Sequence, residues 1–215
     1  MKVALFMTQN VLTISKKTKI VDAVNLMKEH DIHRLPVVES NKLIGLVTES
    51  SIQEASPSKA TSLSVFEMNY LLNKTGAEDV MIRHVTTIQP DEPLEEAVSK
   101  MRAYNVGVLP VVSSKHEVVG IITNNDIFEA FLELTGYKQE GVRISIEIER
   151  DEEGVLANIT KIFAENHVNI VQIVVYRKIE KPIIVIQLTG AKKEKIEALI
   201  QSTGYKILST MTTEK

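Results

Sequence analysis

The chain has 215 residues and a formal net charge of −3, from 25 basic and 28 acidic side chains. Acidic and basic residues are interspersed, so the sequence has no basic patch of the kind that binds nucleic acid or an anionic membrane. The absence of cysteine excludes disulfides, thiolate nucleophiles and zinc–thiolate sites, and makes a reducing cytoplasm the expected location. No apolar run approaches the roughly 18 residues needed to span a bilayer.

The first 55 residues predict the order strand, helix, strand, strand, helix. A short strand is expected at 11–14 and an amphipathic helix at about 19–30. A β-rich run at 34–38 contains Pro36, which indicates a strand start or a bulge. A hairpin turn leads to a return strand at 43–48, and a short helix begins at Ser50.

The same order returns about 74 residues later. Leu-Pro-Val-Val occurs at 35–38 and again at 109–112, and Met7 corresponds to Met81. With one residue inserted in the second hairpin turn, Gly45 corresponds to Gly120. Each copy has only about 50 residues, too few to bury a good core alone. We therefore expect the two copies to pack face to face around a pseudo-twofold axis, with a cleft between them.

The chain between and after the copies divides by composition and periodicity. Residues 56–62 predict a loop, and 65–74 a connecting helix. Residues 141–215 predict β-α-β-β-α-β, the ferredoxin-like arrangement, with helices at 155–166 and 192–202. The expected domains are thus 1–55, a linker at 56–76, 77–136 and 141–215. The expected fold class is α+β or α/β, a duplicated βαββα pair followed by a ferredoxin-like domain.

The segment 120–126 contains the most informative polar residues. Thr123 is expected at a strand exit and Asp126 in the first turn of the following helix, where free N–H groups point outward. A hydroxyl and a carboxylate there could hold sugar hydroxyls, and the helix start favours a nearby anion. Thr-x-x-Asp is also the spacing of a capping box. The sequence alone leaves both interpretations open.

These motifs resemble known families. Thr-Ile, Leu-Pro-Val-Val and the segment 120–126 resemble a tandem pair of CBS (cystathionine-β-synthase) motifs, over 7–52 and 81–128. The β-α-β-β-α-β order, together with 151–156 and 168–170, resembles an ACT domain. The combination is similar to bacterial acetoin-utilisation regulatory proteins.

The resemblance implies an adenosyl-nucleotide site in the cleft. Asp126 and Thr123 would hold ribose and phosphate, and Thr87 and Ile88 would wall the base. Ser51 stands where the first copy should have the aspartate, so the Asp126 end is expected to be the better occupied. Arg34 and His33 are candidate phosphate ligands or, alternatively, solvated turn residues. The full set of implied nucleotide-binding residues is Thr13, His33, Arg34, Thr48, Thr87, Ile88, Thr123 and Asp126.

The ACT resemblance implies a small-effector site at the loop after the first strand of that domain. The alternative is that this domain only dimerises. The implied effector-binding residues are Asp151, Gly154, Val155, Leu156 and Asn169.

The leading functional hypothesis is a cytoplasmic regulatory protein that senses an adenine nucleotide (AMP, ATP, NAD or cyclic di-adenylate) and passes the signal to a partner protein, with acetoin utilisation as the implied pathway. A homodimer or higher homo-oligomer is expected, with no required cofactor, metal, nucleic acid or membrane. The alternative is a ligand-independent assembly protein. An enzyme has little support, because the sequence has no GxSxG, P-loop or metal triad.

Overall fold

The computed structural model describes residues 1–55, 73–150, 152–177 and 180–214. The chain forms two compact units, Met1–Ile127 and Phe128–Lys215. The predicted loop at 56–62 and most of the predicted connecting helix lie outside the described residues.

The first copy of the repeat folds into a small sheet with two helices. Strand β1 pairs in parallel with β2, which pairs antiparallel with β3. The strand predicted at 11–14 begins only at its last residue. The elements in chain order are a 3-10 turn at Val3–Leu5, β1 (Ile14–Ser15), α1 (Ile20–Glu29), β2 (Arg34–Glu39), β3 (Lys42–Thr48) and α2 (Glu49–Ala55).

The second copy has the same order, but its first strand is reduced to one parallel bridge between Ile88 and Val111. In both copies a register shift follows the proline, at Val37/Val38 and at Val111/Val112. Of the two interpretations of Pro36, a strand start or a bulge, the structure shows an irregularity just after the proline, and the strand starts two residues before it. The elements are α3 (Ala77–Val80), α4 (Leu94–Ala103), β4 (Val108–Val112), β5 (Val118–Thr123) and α5 (Asn124–Leu134).

The segment that leads into each copy pairs with the hairpin of the other copy. Thr8 forms an antiparallel bridge with Ile121, and Ile82 forms the equivalent bridge with Leu46. This exchange explains why residues 11–13 do not extend β1: the segment just before them runs along β5 of the second copy. The two copies are therefore interlocked rather than merely stacked.

The repeated glycines make this exchange possible. A Cβ on Gly45 would lie 2.5 Å from the Sδ of Met81, and a Cβ on Gly120 would lie 2.5 Å from the Sδ of Met7. Such distances are well inside van der Waals contact, so only glycine fits without a shift. Gly and Met thus recur together because each glycine accommodates the methionine that leads the other copy.

The core of the first copy follows from the helical spacing of α1. Ile20, Ala23 and Met27 are buried on one face and cluster with Leu35 and Val47 of the hairpin. Burying a side chain the size of Leu or Ile contributes roughly 1.5–3 kcal/mol. This packing fixes the end of α1 and the start of β2, which carry several residues of the candidate site.

The second unit contains the predicted β-α-β-β-α-β order. Its sheet has the strand order β7-β8-β6-β9, and every neighbouring pair is antiparallel, which is the ferredoxin-like arrangement. Helix residues Phe163 and Ile196 are fully buried with Ile144 and Ile186 of the sheet. The elements are β6 (Gly141–Glu147), α6 (Val155–Glu165), β7 (Asn169–Tyr176), β8 (Ile183–Thr189), α7 (Lys193–Gln201) and β9 (Lys206–Thr213).

None of the helices in the described ranges combines the length and apolarity required to cross a bilayer.

Candidate functional site

The turn between β5 and α5 forms a side-chain cap. The Thr123 backbone N–H and hydroxyl both donate to Oδ2 of Asp126, at 2.7 and 2.8 Å. The Asp126 N–H donates to the Thr123 hydroxyl oxygen at 3.4 Å. Both cap bonds use the same carboxylate oxygen, and Oδ1 has no hydrogen-bond partner among the described residues. The capping geometry is therefore present and still leaves Asp126 one oxygen for a ligand.

In the equivalent turn of the first copy, Thr48 and Ser51 bond to each other. The Thr48 N–H donates to the Ser51 hydroxyl, the Ser51 N–H donates to the Thr48 hydroxyl, and the Ser51 hydroxyl donates to the Thr48 carbonyl, each at 3.0 Å. Ser51 is only 8% exposed. Its single side-chain oxygen is already used in these bonds, so the position equivalent to Asp126 offers no carboxylate.

A cavity of about 600 Å³ opens in front of Asp126. Its size lies within the range of small-molecule sites. Three parts of the chain form it: the lead segment of the first copy (residues 8–12), the α1–β2 junction, and the β5–α5 turn of the second copy. The lining residues are Thr8, Asn10, Val11, Leu12, His30, Asp31, Ile32, His33, Arg34, Ile121, Thr123, Asn125 and Asp126.

Polar groups from both copies line this cavity. His33 and Arg34 come from the α1–β2 junction, and Thr123 and Asp126 come from the β5–α5 turn. His33 Nδ1 lies 3.1 Å from the carboxylate of Glu49, so His33 already has an acidic neighbour. Within the described part of the chain, Arg34 forms no ion pair or side-chain hydrogen bond. Its half-buried guanidinium is therefore available for an anionic ligand.

Four of the eight predicted nucleotide-binding residues thus line one cavity: His33, Arg34, Thr123 and Asp126. The other four predicted residues are not among its lining residues.

Thr13, Thr48, Thr87 and Ile88 lie elsewhere in the first unit. Ile88 is 1% exposed and belongs to the interior, where its N–H donates to the Pro110 carbonyl at 3.2 Å. The Thr87 carbonyl accepts a bond from Lys100. Thr48 belongs to the turn that it shares with Ser51, and Thr13 is an exposed residue just before β1.

Sequence reasoning missed the apolar wall formed by Val11, Leu12, Ile32 and Ile121. The repeat indicated which residues are equivalent, but not which copy each lead segment would join. Nothing in the spacing of the motifs distinguishes an exchanged pair from an unexchanged one.

The predicted effector residues of the second unit line two different openings. Gly154, Val155 and Leu156 line a cavity of about 190 Å³ with Arg177. Asn169 instead lines a separate, shallow opening with Lys161. Thus three predicted effector residues lie together, Asn169 lies apart from them, and Asp151 is outside the described residues. Gly154 has φ +88°, a left-handed conformation that favours glycine at the start of α6.

No group of three or more His, Asp or Glu side chains within the described ranges is placed to hold a metal ion.

The architecture and the cavity between two interlocked βαββα copies define a class of protein. The family model described as CBS domain matches residues 3–58 and 77–133, together more than half of the chain. The chain therefore belongs to the CBS-domain family.

Several curated relatives contain this module within larger enzymes. A homoserine O-acetyltransferase of Methanohalobium evestigatum is 34% identical over 122 residues, which cover 56% of this chain and 22% of that protein. An L-aspartate semialdehyde sulfurtransferase of Methanocaldococcus jannaschii is 33% identical over 121 residues, covering 56% of this chain and 21% of that protein. The match thus spans about a fifth of those relatives' length.

Solved structures resemble the paired copies. A Vibrio cholerae protein named for acetoin utilization is 31% identical with a TM-score of 0.52, covering 62% of this chain and 92% of that one. The CBS domain pair of protein MJ0100, in complex with 5′-methylthioadenosine and S-adenosyl-L-methionine, is 30% identical with a TM-score of 0.51, covering 61% and 95%. CBSX2 in complex with AMP is 26% identical with a TM-score of 0.53, covering 62% and 97%. Structural neighbours of this pair therefore bind adenosyl ligands.

Proposed function

We propose that this protein is a regulatory sensor that binds one adenosyl nucleotide in the cavity in front of Asp126 and transmits its presence to a partner protein. The observation that carries the proposal is the presence, in the lining of that cavity, of two groups without a partner among the described residues. These groups are the second carboxylate oxygen of Asp126 and the guanidinium of Arg34. A nucleotide is a ligand with hydroxyls at one position and anionic oxygens at another, which matches this pair.

Each part of the ligand has a proposed place. The ribose hydroxyls donate to Oδ1 of Asp126 beside Thr123. The phosphate accepts from Arg34 and lies near the start of α5, whose N–H groups favour an anion. The base lies on the apolar wall of Val11, Leu12 and Ile121, in place of Thr87 and Ile88, to which the family resemblance gives this role.

The proposal extends to the second unit and to the pathway. We assign the ferredoxin-like unit as an ACT domain with a small-effector site at the Gly154 loop, and the protein as a homo-oligomer without catalytic activity. The resemblance to the Vibrio cholerae protein supports a place in acetoin utilisation. Ligand binding that shifts partner affinity by about 1–3 kcal/mol would be sufficient for regulation.

Titration calorimetry and thermal denaturation of the full chain test the proposal. AMP, ATP, NAD, cyclic di-adenylate, S-adenosyl-L-methionine and 5′-methylthioadenosine are the ligands to compare. A ligand present at 100 times its dissociation constant should add roughly 2.7 kcal/mol to the free energy of unfolding. Absence of both heat and stabilisation with every ligand would contradict the proposal.

A ligand-independent assembly role is the alternative that a specific observation favours. Strand β7, Asn169–Tyr176, lies at an edge of the four-stranded sheet and consists mostly of Val and Ile. Such an edge can pair with another chain. Light scattering of the full chain tests this role, and a monomer at all concentrations would exclude it.

A further inference from the structure

Gly107 occupies the position in the second copy that His33 occupies in the first. The backbone is the same at both positions: the Glu49 N–H donates to the His33 carbonyl at 3.2 Å, and the Asn124 N–H donates to the Gly107 carbonyl at 3.1 Å. The side chains differ. The first copy has the His33–Glu49 pair at 3.1 Å, whereas the second has no side chain at residue 107.

The backbone does not explain this glycine. The residues of positive φ in the described ranges include five glycines, and Gly107 is not among them. An L side chain therefore fits the local conformation of residue 107, and the reason for glycine must lie in the surrounding space.

The space beside Gly107 holds side chains from both copies. A Cβ at residue 107 would lie 3.0 Å from Nδ2 of Asn124 and 3.4 Å from a terminal guanidinium nitrogen of Arg34. Arg34 belongs to the first copy and lines the Asp126 cavity. Gly107 and Asn124 line a neighbouring opening of about 260 Å³. The arginine thus reaches across the pseudo-twofold axis into the volume that a histidine would fill in a symmetric pair.

We propose that Gly107 is a positioning residue for Arg34: the missing side chain gives the guanidinium the place from which it meets the anionic part of the ligand. This inference rests on the proposed nucleotide site. It adds that the residue at position 107 determines whether the site prefers a phosphorylated ligand over a neutral one. A Cβ alone would touch the guanidinium at contact distance, so a side chain larger than alanine at residue 107 displaces it. Such a side chain reduces binding of a phosphorylated ligand and leaves a neutral adenosyl ligand unaffected. Gly107 itself contacts no part of the ligand in this proposal.

Calorimetric titration of the full chain with AMP and with adenosine tests the inference. In Gly107→Leu we expect AMP binding to weaken about tenfold, the size of one lost charge-assisted hydrogen bond, and adenosine binding to change less than about twofold. Gly107→Val should show the same direction with a smaller loss, and it decides the question if the leucine variant does not fold.

Two further variants separate positioning from a general structural effect. In an Arg34→Met background, Gly107→Leu should cause no additional loss of AMP affinity, because the displaced group is already gone. Asn124→Ala is the control for the other side chain that lies beside residue 107. Because Asn124 is uncharged, its removal should leave the ratio of AMP affinity to adenosine affinity unchanged.

The outcomes are distinct. Equal weakening of AMP and adenosine in Gly107→Leu, no change in either, or a full additional loss in the Arg34→Met background overturns the inference and leaves the proposed function standing. Wild-type protein that binds neither AMP nor adenosine overturns both.

Discussion

At the scale of single residues, Asp126 has two roles that do not compete. Its Oδ2 caps the start of α5, and its Oδ1 has no partner within the described part of the chain, while Asp126 lines a cavity. The sequence placed Thr123 and Asp126 correctly on a strand exit and a helix start. It could not separate capping from binding, because both require the same two residues at the same spacing. Only the assignment of hydrogen bonds to individual oxygens shows that the cap leaves one acceptor free.

Substitution of Asp126 and Ser51 separates the two roles. Asp126→Ala should lower the unliganded free energy of unfolding by about 0.5–2 kcal/mol, the usual cost of a lost cap, and should also weaken nucleotide binding. Ser51→Ala removes an equivalent cap in the first copy, so it should cost similar stability with little loss of affinity. Chemical denaturation and calorimetry of both variants check this. Equal losses of affinity would contradict the proposed asymmetry of the two turns.

At the scale of elements, helix and strand bounds were largely predictable from periodicity, and most differ from the structure by one to three residues. The predicted strand at 11–14 was wrong because apolar periodicity does not specify which sheet a segment joins. Thr8, just before this segment, pairs with Ile121 of the other copy. The prediction that Asp126 lies in the first turn of a helix is confirmed: that helix begins at Asn124, directly after Thr123.

An ion pair beyond the end of β6 gives a titration prediction. Lys181 lies 2.6 Å from the Glu149 carboxylate, and its hydrogen bond and charge hold the pKa of Glu149 below its ordinary value. A lowered carboxyl pKa contributes stability above the ordinary pKa, and that contribution is lost as pH falls through the lowered one. Glu149 is exposed and Lys181 is partly exposed, so solvent screens the pair and the effect on folding is small.

Lys181→Met should therefore raise the pKa of Glu149 toward its ordinary value. Carbon-detected NMR titration of the side-chain carboxyl measures the change. Lys206→Met is the matched control, because Lys206 bonds Glu147 and contributes less to the Glu149 shift. An equal rise in both variants would show that the direct Lys181 contact is not the main cause.

Two glycines of the second unit share a positive φ and differ in their surroundings. A Cβ on Gly141, φ +142°, would lie 2.0 Å from the Leu188 carbonyl oxygen, whereas a Cβ on Gly204, φ +80°, meets nothing within 4 Å. Gly204→Ala should cost about 1–2 kcal/mol, from backbone strain alone. Gly141→Ala should cost more, because the β6–β8 pairing must also move. Urea denaturation measures the free energy of unfolding of both variants. Equal losses would show that the start of β6 shifts without cost and would contradict this prediction.

At the scale of the whole molecule, the duplication in the sequence predicted the paired copies and the cleft between them. The exchange of lead segments was not predictable, although its trace is visible afterwards in the recurring Gly and Met positions. That exchange is what brings Val11 and Leu12 of one copy to Asp126 of the other. The candidate site was therefore half predictable: the polar groups follow from local motifs, and the apolar wall follows from long-range topology.

The asymmetry of the copies also has a consequence for the whole molecule. At the position equivalent to Asp126 the first copy has Ser51, whose hydroxyl bonds within its own turn, whereas Asp126 keeps one carboxylate oxygen without a partner among the described residues. Each chain should accordingly bind one adenosyl ligand tightly, with the other end of the pair unoccupied at matched concentrations.

A crystal structure of the full chain, grown with whichever adenosyl ligand binds most tightly in the titration, tests the central claim most directly. We expect one ligand per chain, with ribose hydroxyls on Oδ1 of Asp126, the base against Val11 and Leu12, and the anionic tail on Arg34. A ligand bound beside Ser51 instead, or a cavity filled only by solvent while the ligand binds elsewhere, would contradict the account.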